Sequence, residues 1–340
     1  MHTFPIFGHI SHCKSIKVWA AAFFALLLPN HILAQQSGQT GYEFLNIPTS
    51  AHSAALGGNV VSLVEDDATL LFSNPALLAN VSDRTLGFGY MSYMSSSTKL
   101  SADFVRATGE RGTWAVAAQV LSYGKMTRTD ADQIESGTFS ASDIALQGGY
   151  TYLLSDYWSG GAQGKVLMSS YGDYSSTALA VDLGLNYYDE ERGFSFGLVA
   201  QNLGGEIDAL YERSRKLPFN LVMGISKELA NAPVRLSLTL SDLTHWSESY
   251  YQMAGEKMSG SNRFWNHIAF GADIFPSSST WLAIGYNFRR GYEMKVVDKS
   301  HGAGWSFGGG LAIKRFKLGV AYGKYHVSSS SLTVNAAYSL

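Results

Sequence analysis

The chain has 340 residues, a net charge of −2 and no long basic run, so it offers no electrostatic footprint for nucleic acid. Charged residues are 15% of it, below the usual share of about a quarter, and Gly and Ser make up the difference. Hydrophobic residues are 46% and the mean hydropathy is −0.01, averages that suit a soluble protein, but the order of the residues does not.

Lys14 and Lys17 precede an apolar run from Val18 to Leu28, and Ala34 stands before Gln35, so residues 1–34 read as a secretory signal peptide cut near Ala34. The only cysteine, Cys13, lies before the apolar run. A chain cut there has no thiol for a disulfide, a nucleophile or a thiolate metal site. No later segment approaches the roughly 20 consecutive apolar residues of a membrane helix.

Residues 35–84 do not alternate. Gly41-Tyr42-Glu43-Phe44-Leu45-Asn46-Ile47-Pro48 leads into Ala54-Ala55-Leu56-Gly57-Gly58, then Glu65-Asp66-Asp67, then Ser73-Asn74-Pro75-Ala76-Leu77-Leu78. A stretch of such mixed apolar character needs somewhere to bury, and the lumen of a following barrel would supply it.

From residue 85 onward the period becomes two. Leu179, Val181, Leu183, Leu185 and Tyr187 form one column against Ala180, Asp182, Gly184 and Asn186, and Val234, Leu236, Leu238 and Leu240 stand against Arg235, Ser237 and Thr239. The first face of each suits lipid, the second a lumen. About fourteen such strands are expected, near 85–93, 98–107, 112–123, 139–154, 157–170, 175–189, 193–203, 216–229, 233–243, 264–275, 280–290, 303–313, 316–325 and 331–340. Tight turns such as Ser155-Asp156 and Lys314-Arg315 alternate with long loops near 124–138, 204–215, 244–263 and 291–302. Outer-membrane barrels have short periplasmic turns and longer external loops. A soluble β-sandwich would instead carry polar outer faces without aromatic residues gathered at strand ends. The sequence therefore predicts an all-β, transmembrane antiparallel β-barrel spanning 85–340.

The order Phe44-Leu45, Pro48-Thr49-Ser50, Ala55-Leu56-Gly57-Gly58, Asp66-Asp67 and Asn74-Pro75-Ala76, ahead of a barrel that ends at the last residue, resembles the PorV/PorQ family of the Bacteroidota type IX secretion system. That family is related to the FadL-type fatty-acid transporters. The resemblance implies a fourteen-strand FadL-like barrel in the outer membrane, without cofactor or catalysis. It further implies a barrel that anchors the surface protein PorZ in an attachment complex with PorU and PorV. His52 departs from the pattern, since many relatives carry Arg there.

Several residues are candidates for a role, each with a plainer alternative. Leu56, Gly57, Gly58, Asn74, Pro75 and Ala76 could form a movable hatch or a static plug turn. Glu65-Asp66-Asp67 could hold a hard cation or simply start a helical turn. Lys165, Asp182, Asn186, Gln201 and Arg235 point to the lumen, where they would line a path or pair among themselves. His245, His267, His301 and His326 are dispersed and lack metal-ligand spacing. Gly308-Gly309-Gly310 lies within a strand and reads as a packing or bend feature. In loop 244–263, Trp246, Tyr250 and Tyr251 are candidate partner contacts, because such residues dominate interface hot spots. Two functions follow: a docking barrel, or a transporter of hydrophobic small molecules, which would need an apolar pocket. No Ser, His and acid set can be placed on one rim, so an enzyme is not expected.

Overall fold

The computed structural model describes residues 40–94, 97–129, 135–209, 215–246, 259–293, 302–324 and 329–340. The expected signal peptide, Tyr250, Tyr251, His301 and His326 lie outside them. Alternating side chains build fourteen antiparallel strands. They are β1 (Thr85–Ser92), β2 (Thr98–Thr108), β3 (Gly112–Thr129), β4 (Glu135–Leu153), β5 (Trp158–Tyr171), β6 (Tyr174–Asp189) and β7 (Phe194–Asp208). The second half comprises β8 (Asn220–Glu228), β9 (Val234–Leu240), β10 (Ile268–Ser277), β11 (Thr280–Asn287), β12 (Trp305–Ile313), β13 (Phe316–Gly323) and β14 (Ser331–Ser339).

Each strand pairs with its neighbours in sequence, and β14 pairs with β1 from Thr85↔Ser339 to Ser92↔Leu332, closing the sheet. Closure leaves no edge of unpaired backbone groups, the condition for strands to stand in hydrocarbon. Both ends of the barrel segment and most of the short turns fall at one end, hereafter the turn end; the longer connections, together with the tight β5–β6 turn, form the loop end. In outer-membrane barrels the turn end faces the periplasm.

The outward columns are apolar and solvent-accessible, as in Phe88, Leu100, Val116, Leu179, Leu282 and Phe307. The inward positions between them are buried and mostly small or polar, including Ser101, Asp103, Gln119, Asp182, Ser237 and Thr333. This inverts the arrangement of a soluble protein and matches a bilayer outside with a filled lumen inside. Among the described residues, no helix is long and apolar enough to cross a membrane.

The structure corrects several strand limits. β3 and β4 reach 18 and 19 residues, and β7 continues to Asp208. Beyond about ten residues the β3–β4 hairpin has crossed the bilayer. Past Lys125 both of its faces are exposed, so no apolar column remains to mark the strand. Conversely, 264–266 and 288–290 are helical: α2 (Gly260–Asn266) is capped by Ser259, and α3 (Phe288–Glu293) follows directly from β11. The aromatic residues there continue the neighbouring strand patterns without being strand. A third short helix, α1 (Ala51–Ala55), lies inside the barrel.

Val334 sits on the outward face of β14, paired with Tyr90 and Val320 across its two neighbours. Val334→Arg should reduce folding stability by about 2–4 kcal/mol, the cost of a lipid-facing arginine near the midplane. Urea unfolding in vesicles, followed by heat-modifiable gel mobility, would measure it; an unchanged midpoint would place Val334 off the lipid face.

Candidate functional site

Residues 40–83 fill the lumen, and three of their attachments to the wall bear on function. The first is made by α1. Ser50 starts it by accepting a hydrogen bond from the Ser53 amide, and the Ala-rich turn lets the backbone approach β12 and β13 closely. Ala51, Ala54, Ala55 and Leu56 join Val60, Leu63, Leu70, Leu77, Ala283 and Ala321 in one buried apolar cluster. Leu56 lies against Gly271 and Ala55 against Gly308, where a Cβ would fall 2.7 and 2.5 Å from their side chains. These glycines are notches that admit the luminal segment. Gly57, at φ +102, turns the chain away, and its carbonyl accepts from Asn287 Nδ2 at 2.9 Å and Arg290 Nη2 at 3.3 Å.

His52 projects from α1 into a charged cluster. Its Nδ1 is 2.9 Å from the Glu65 carboxylate and its Nε2 is 2.7 Å from Asp273 Oδ1 on β10. Arg235 Nε on β9 donates to the other Asp273 oxygen at 2.8 Å, and the ring of His52 stacks on Trp281 at 3.7 Å. Burial pushes the imidazole pKa down, but the two carboxylates outweigh it and push it up to about 9. His52 is thus a cation in the place where the resemblance implies an arginine.

The second attachment is built on Asn74-Pro75-Ala76. Asn74 Oδ1 accepts from the Ala76 amide at 3.0 Å and its Nδ2 donates to the Val61 carbonyl at 2.9 Å, so the side chain caps the 3-10 turn that Pro75 begins. The wall answers three of the carbonyls here. Gln201 Nε2 donates to Ser73 O at 2.7 Å, Thr151 Oγ1 to Pro75 O, and Ser159 Oγ to Ala76 O at 2.9 Å. Gly161 and Gly184 supply the clearance, since a Cβ on Gly184 would lie 2.0 Å from Asn74 Oδ1.

The third attachment lies towards the loop end. Tyr42 and Phe44 pack with Leu121, Ala145, Leu167, Ala178, Ala180 and Leu217. Only a few polar contacts accompany them: Tyr42 OH with Ser176 Oγ at 2.9 Å, Gly41 N to Lys216 O at 3.0 Å, and Arg215 over the Tyr42 ring at 5.0 Å. Lys99 Nζ on β2 reaches the Ile47 carbonyl at 2.6 Å just beyond.

Lys165, Asp182, Asn186, Gln201 and Arg235 are all buried on the luminal side. Lys165 pairs with Asp182 at 2.7 Å, Asn186 accepts from Ser195 Oγ at 3.1 Å, and Arg235 joins the His52 cluster. Sequence reading missed Asn202, which sits beside Gln201 in a bulge of β7 opposite Asp182. Its φ of +59° turns both side chains inward, where Asn202 accepts from Lys165 Nζ at 2.9 Å and donates to Pro218 O. The two consecutive polar residues Gln201-Asn202, which break the period of two, were the available signal. Glu65-Asp66-Asp67 divides its tasks: Glu65 faces His52, Asp66 pairs with Lys317 and accepts from Ser82, and Asp67 caps the turn at Thr69. No group of three or more His, Cys, Asp or Glu among the described residues is arranged to hold a metal ion. Trp246 lies at the loop end, stacked on His267 at 3.9 Å, with its indole nitrogen donating to Leu243 O.

No family model matches the sequence, and no curated protein does. The fold is matched by solved structures. The Pseudomonas putida toluene transporter TodX aligns with a TM-score of 0.53 at 13% identity, over 86% of this chain and 97% of its own. A Pseudomonas aeruginosa FadL homologue aligns at 0.52 and 11%, over 86% and 99%, and the monoaromatic hydrocarbon channel CymD at 0.52 and 14%, over 86% and 97%. This is the FadL-like outer-membrane barrel fold. Two of these neighbours are named as a transporter or a channel.

His52 is held in its charged form, so its raised pKa stabilises the fold fully below the ordinary value near 6.5, and that contribution is lost as pH rises through about 9. Thermal unfolding in detergent should therefore show a loss of about 3 kcal/mol between pH ~6 and pH ~10. His52→Gln should flatten this dependence. A slope that survives the substitution would assign it elsewhere.

Proposed function

We propose that the chain is a non-enzymatic outer-membrane channel for hydrophobic small molecules, closed in this structure by its own luminal segment. The observation that carries the reading is the third attachment. Leu121, Ala145, Leu167, Ala178 and Ala180, on four adjacent strands, turn an apolar patch into the lumen below the loop end, and Tyr42 and Phe44 occupy it. An apolar patch turned into the lumen needs something apolar to fill it. The residues that fill it here are held with fewer polar contacts than α1 or Asn74, so a hydrophobic ligand would compete for the patch by displacing them. The FadL-like fold supports this reading, since TodX and CymD are named as a toluene transporter and a monoaromatic hydrocarbon channel.

A test replaces both rings. Tyr42→Ala with Phe44→Ala vacates the patch at a cost of about 3–5 kcal/mol for each large side chain. The purified variant should bind N-phenylnaphthylamine several-fold more strongly than the parent, read by fluorescence, and cells bearing it should take the dye up faster. A folded variant with no gain in binding would sink the channel reading.

A second reading follows from the resemblance, in which the barrel anchors PorZ at the cell surface within the type IX attachment complex with PorU and PorV. What favours it is the anchorage of the lumen from opposite sides, which suits a static support, together with the exposed Trp246, Phe264 and Trp265 at the loop end. Replacing Trp246, Tyr250 and Tyr251 by Ser should release such a partner into the medium from a barrel that remains heat-modifiable, each true hot spot contributing roughly 2 kcal/mol or more. Retention of every co-purifying surface protein would count against docking.

A further inference from the structure

We propose that the outer wall of the barrel carries a binding site for one acyl chain of a membrane lipid, at the loop end of β9–β12. Register places Leu238, Phe270, Tyr286 and Trp305 side by side at one level across these four strands. All four point outward. Above them, the chain leaves β11 as α3 and enters β10 from α2, and these helices bring Phe288 and Trp265 over the row with ring centroids 4.9 Å apart. Tyr286 meets Phe288 edge-on at 4.8 Å and Trp305 at 5.0 Å. The row is the floor and the two helical rings are the roof of an alcove of about 650 Å³, within the range of about 300–1,000 Å³ found for small-ligand pockets.

The occupant follows from where the alcove opens. Its floor belongs to the same outward columns as Leu282, Ile284 and Phe307, the belt that faces hydrocarbon, so the cavity is continuous with the lipid interface. Its lining is apolar and gives water few hydrogen-bonding partners, so water would be poorly held. A lipid acyl chain is the apolar chain present at that surface. The roof is also fixed in advance. Asn287 Oδ1 accepts from the Arg290 amide at 2.9 Å at the start of α3, while both side chains donate to the Gly57 carbonyl inside the barrel. A chain in the alcove therefore meets a preformed wall, unlike one lying on the remaining surface. A second outward groove, of about 630 Å³ along Leu86, Phe88, Phe104, Val116 and Leu146, has no helices over it and provides an internal control.

The whole barrel would be reconstituted in phosphatidylethanolamine and phosphatidylglycerol vesicles with a trace of phosphatidylcholine carrying a diazirine on the upper part of one acyl chain. After irradiation, adducts are mapped by mass spectrometry. Peptides bearing Phe270, Tyr286 and Trp305 should carry several-fold more adduct than those bearing Phe88 and Val116. Leu238→Trp, which fills the floor, should remove the excess while leaving the control peptides unchanged. Should that variant fail to insert, Phe288→Ser removes the roof and should have the same effect. Equal labelling of the two grooves in the parent protein overturns the proposal, as does an excess that persists in a folded variant of either kind. An alcove that stays unlabelled in native membranes yet cross-links to a protein would also overturn it, assigning the surface to a polypeptide partner.

Discussion

The seam between β1 and β14 is the constraint on which the rest depends. Without the register from Thr85↔Ser339 to Ser92↔Leu332, two strands would present unpaired amides and carbonyls to hydrocarbon, where each costs several kcal/mol. At the turn end the Leu340 amide extends the seam by donating to Arg84 O at 3.1 Å, while the Ser339 amide ties β14 to its other neighbour by donating to Arg315 O at 3.0 Å. A closed sheet of fourteen strands encloses more space than its own inward side chains fill. That surplus is what makes the luminal segment necessary, and it explains why a stretch with no repeating pattern has buried Leu63, Leu70, Leu71, Leu77 and Leu78.

Filling a lumen with irregular chain brings a difficulty, because its backbone groups cannot all pair with one another. The wall supplies the partners. Gln201, Thr151 and Ser159 donate to the carbonyls of Ser73, Pro75 and Ala76, and Ser306 does the same for Ala55. Glycines at 161, 184, 271, 285 and 308 bring the two backbones close enough for such short side chains to reach. The polar character of the inner face is therefore largely hydrogen bonding for the luminal segment, and only in part charge chemistry of its own.

The barrel was legible because a period of two with one apolar face survives in sequence wherever a strand crosses lipid. It stopped being legible where lipid stops. From Lys125 to Thr129 and from Glu135 to Ser140 neither face is buried in an alternating fashion, so the β3–β4 extension carries no signal, and the expected strand near 280–290 runs on past Asn287 although the chain has already turned helical at Phe288. Within the lumen, the inward direction of Lys165, Asp182 and Arg235 could be read from parity alone, whereas their partners could not. The cluster around His52 gathers Glu65, 13 residues away, and Asp273, 221 residues away, and no local spacing encodes that meeting. The glycines were similarly half-read: a glycine in a strand announces a close approach without naming what approaches.

The three attachments of the luminal segment differ in kind, and the difference bears on how the lumen could open. Around His52 two carboxylates share an imidazolium and a guanidinium in a largely buried site, so withdrawing α1 would leave Asp273 and Arg235 on the wall without two of their partners. Breaking a buried ion pair by removing one member is strongly unfavourable. Around Asn74 the bonds are neutral but numerous, and they fit glycine notches that would be left as voids. Around Tyr42 and Phe44 the contact is mostly apolar surface, which another apolar surface can replace at little net cost, and Tyr42 itself is held at a φ of +60°, a conformation a non-glycine residue adopts reluctantly. Any movement confined to one attachment would therefore begin at residues 41–47 and end where α1 is fixed by charge. That order leaves the turn-end half of the lumen closed while the loop-end half opens, which is what a channel needs in order to admit a ligand without becoming a hole.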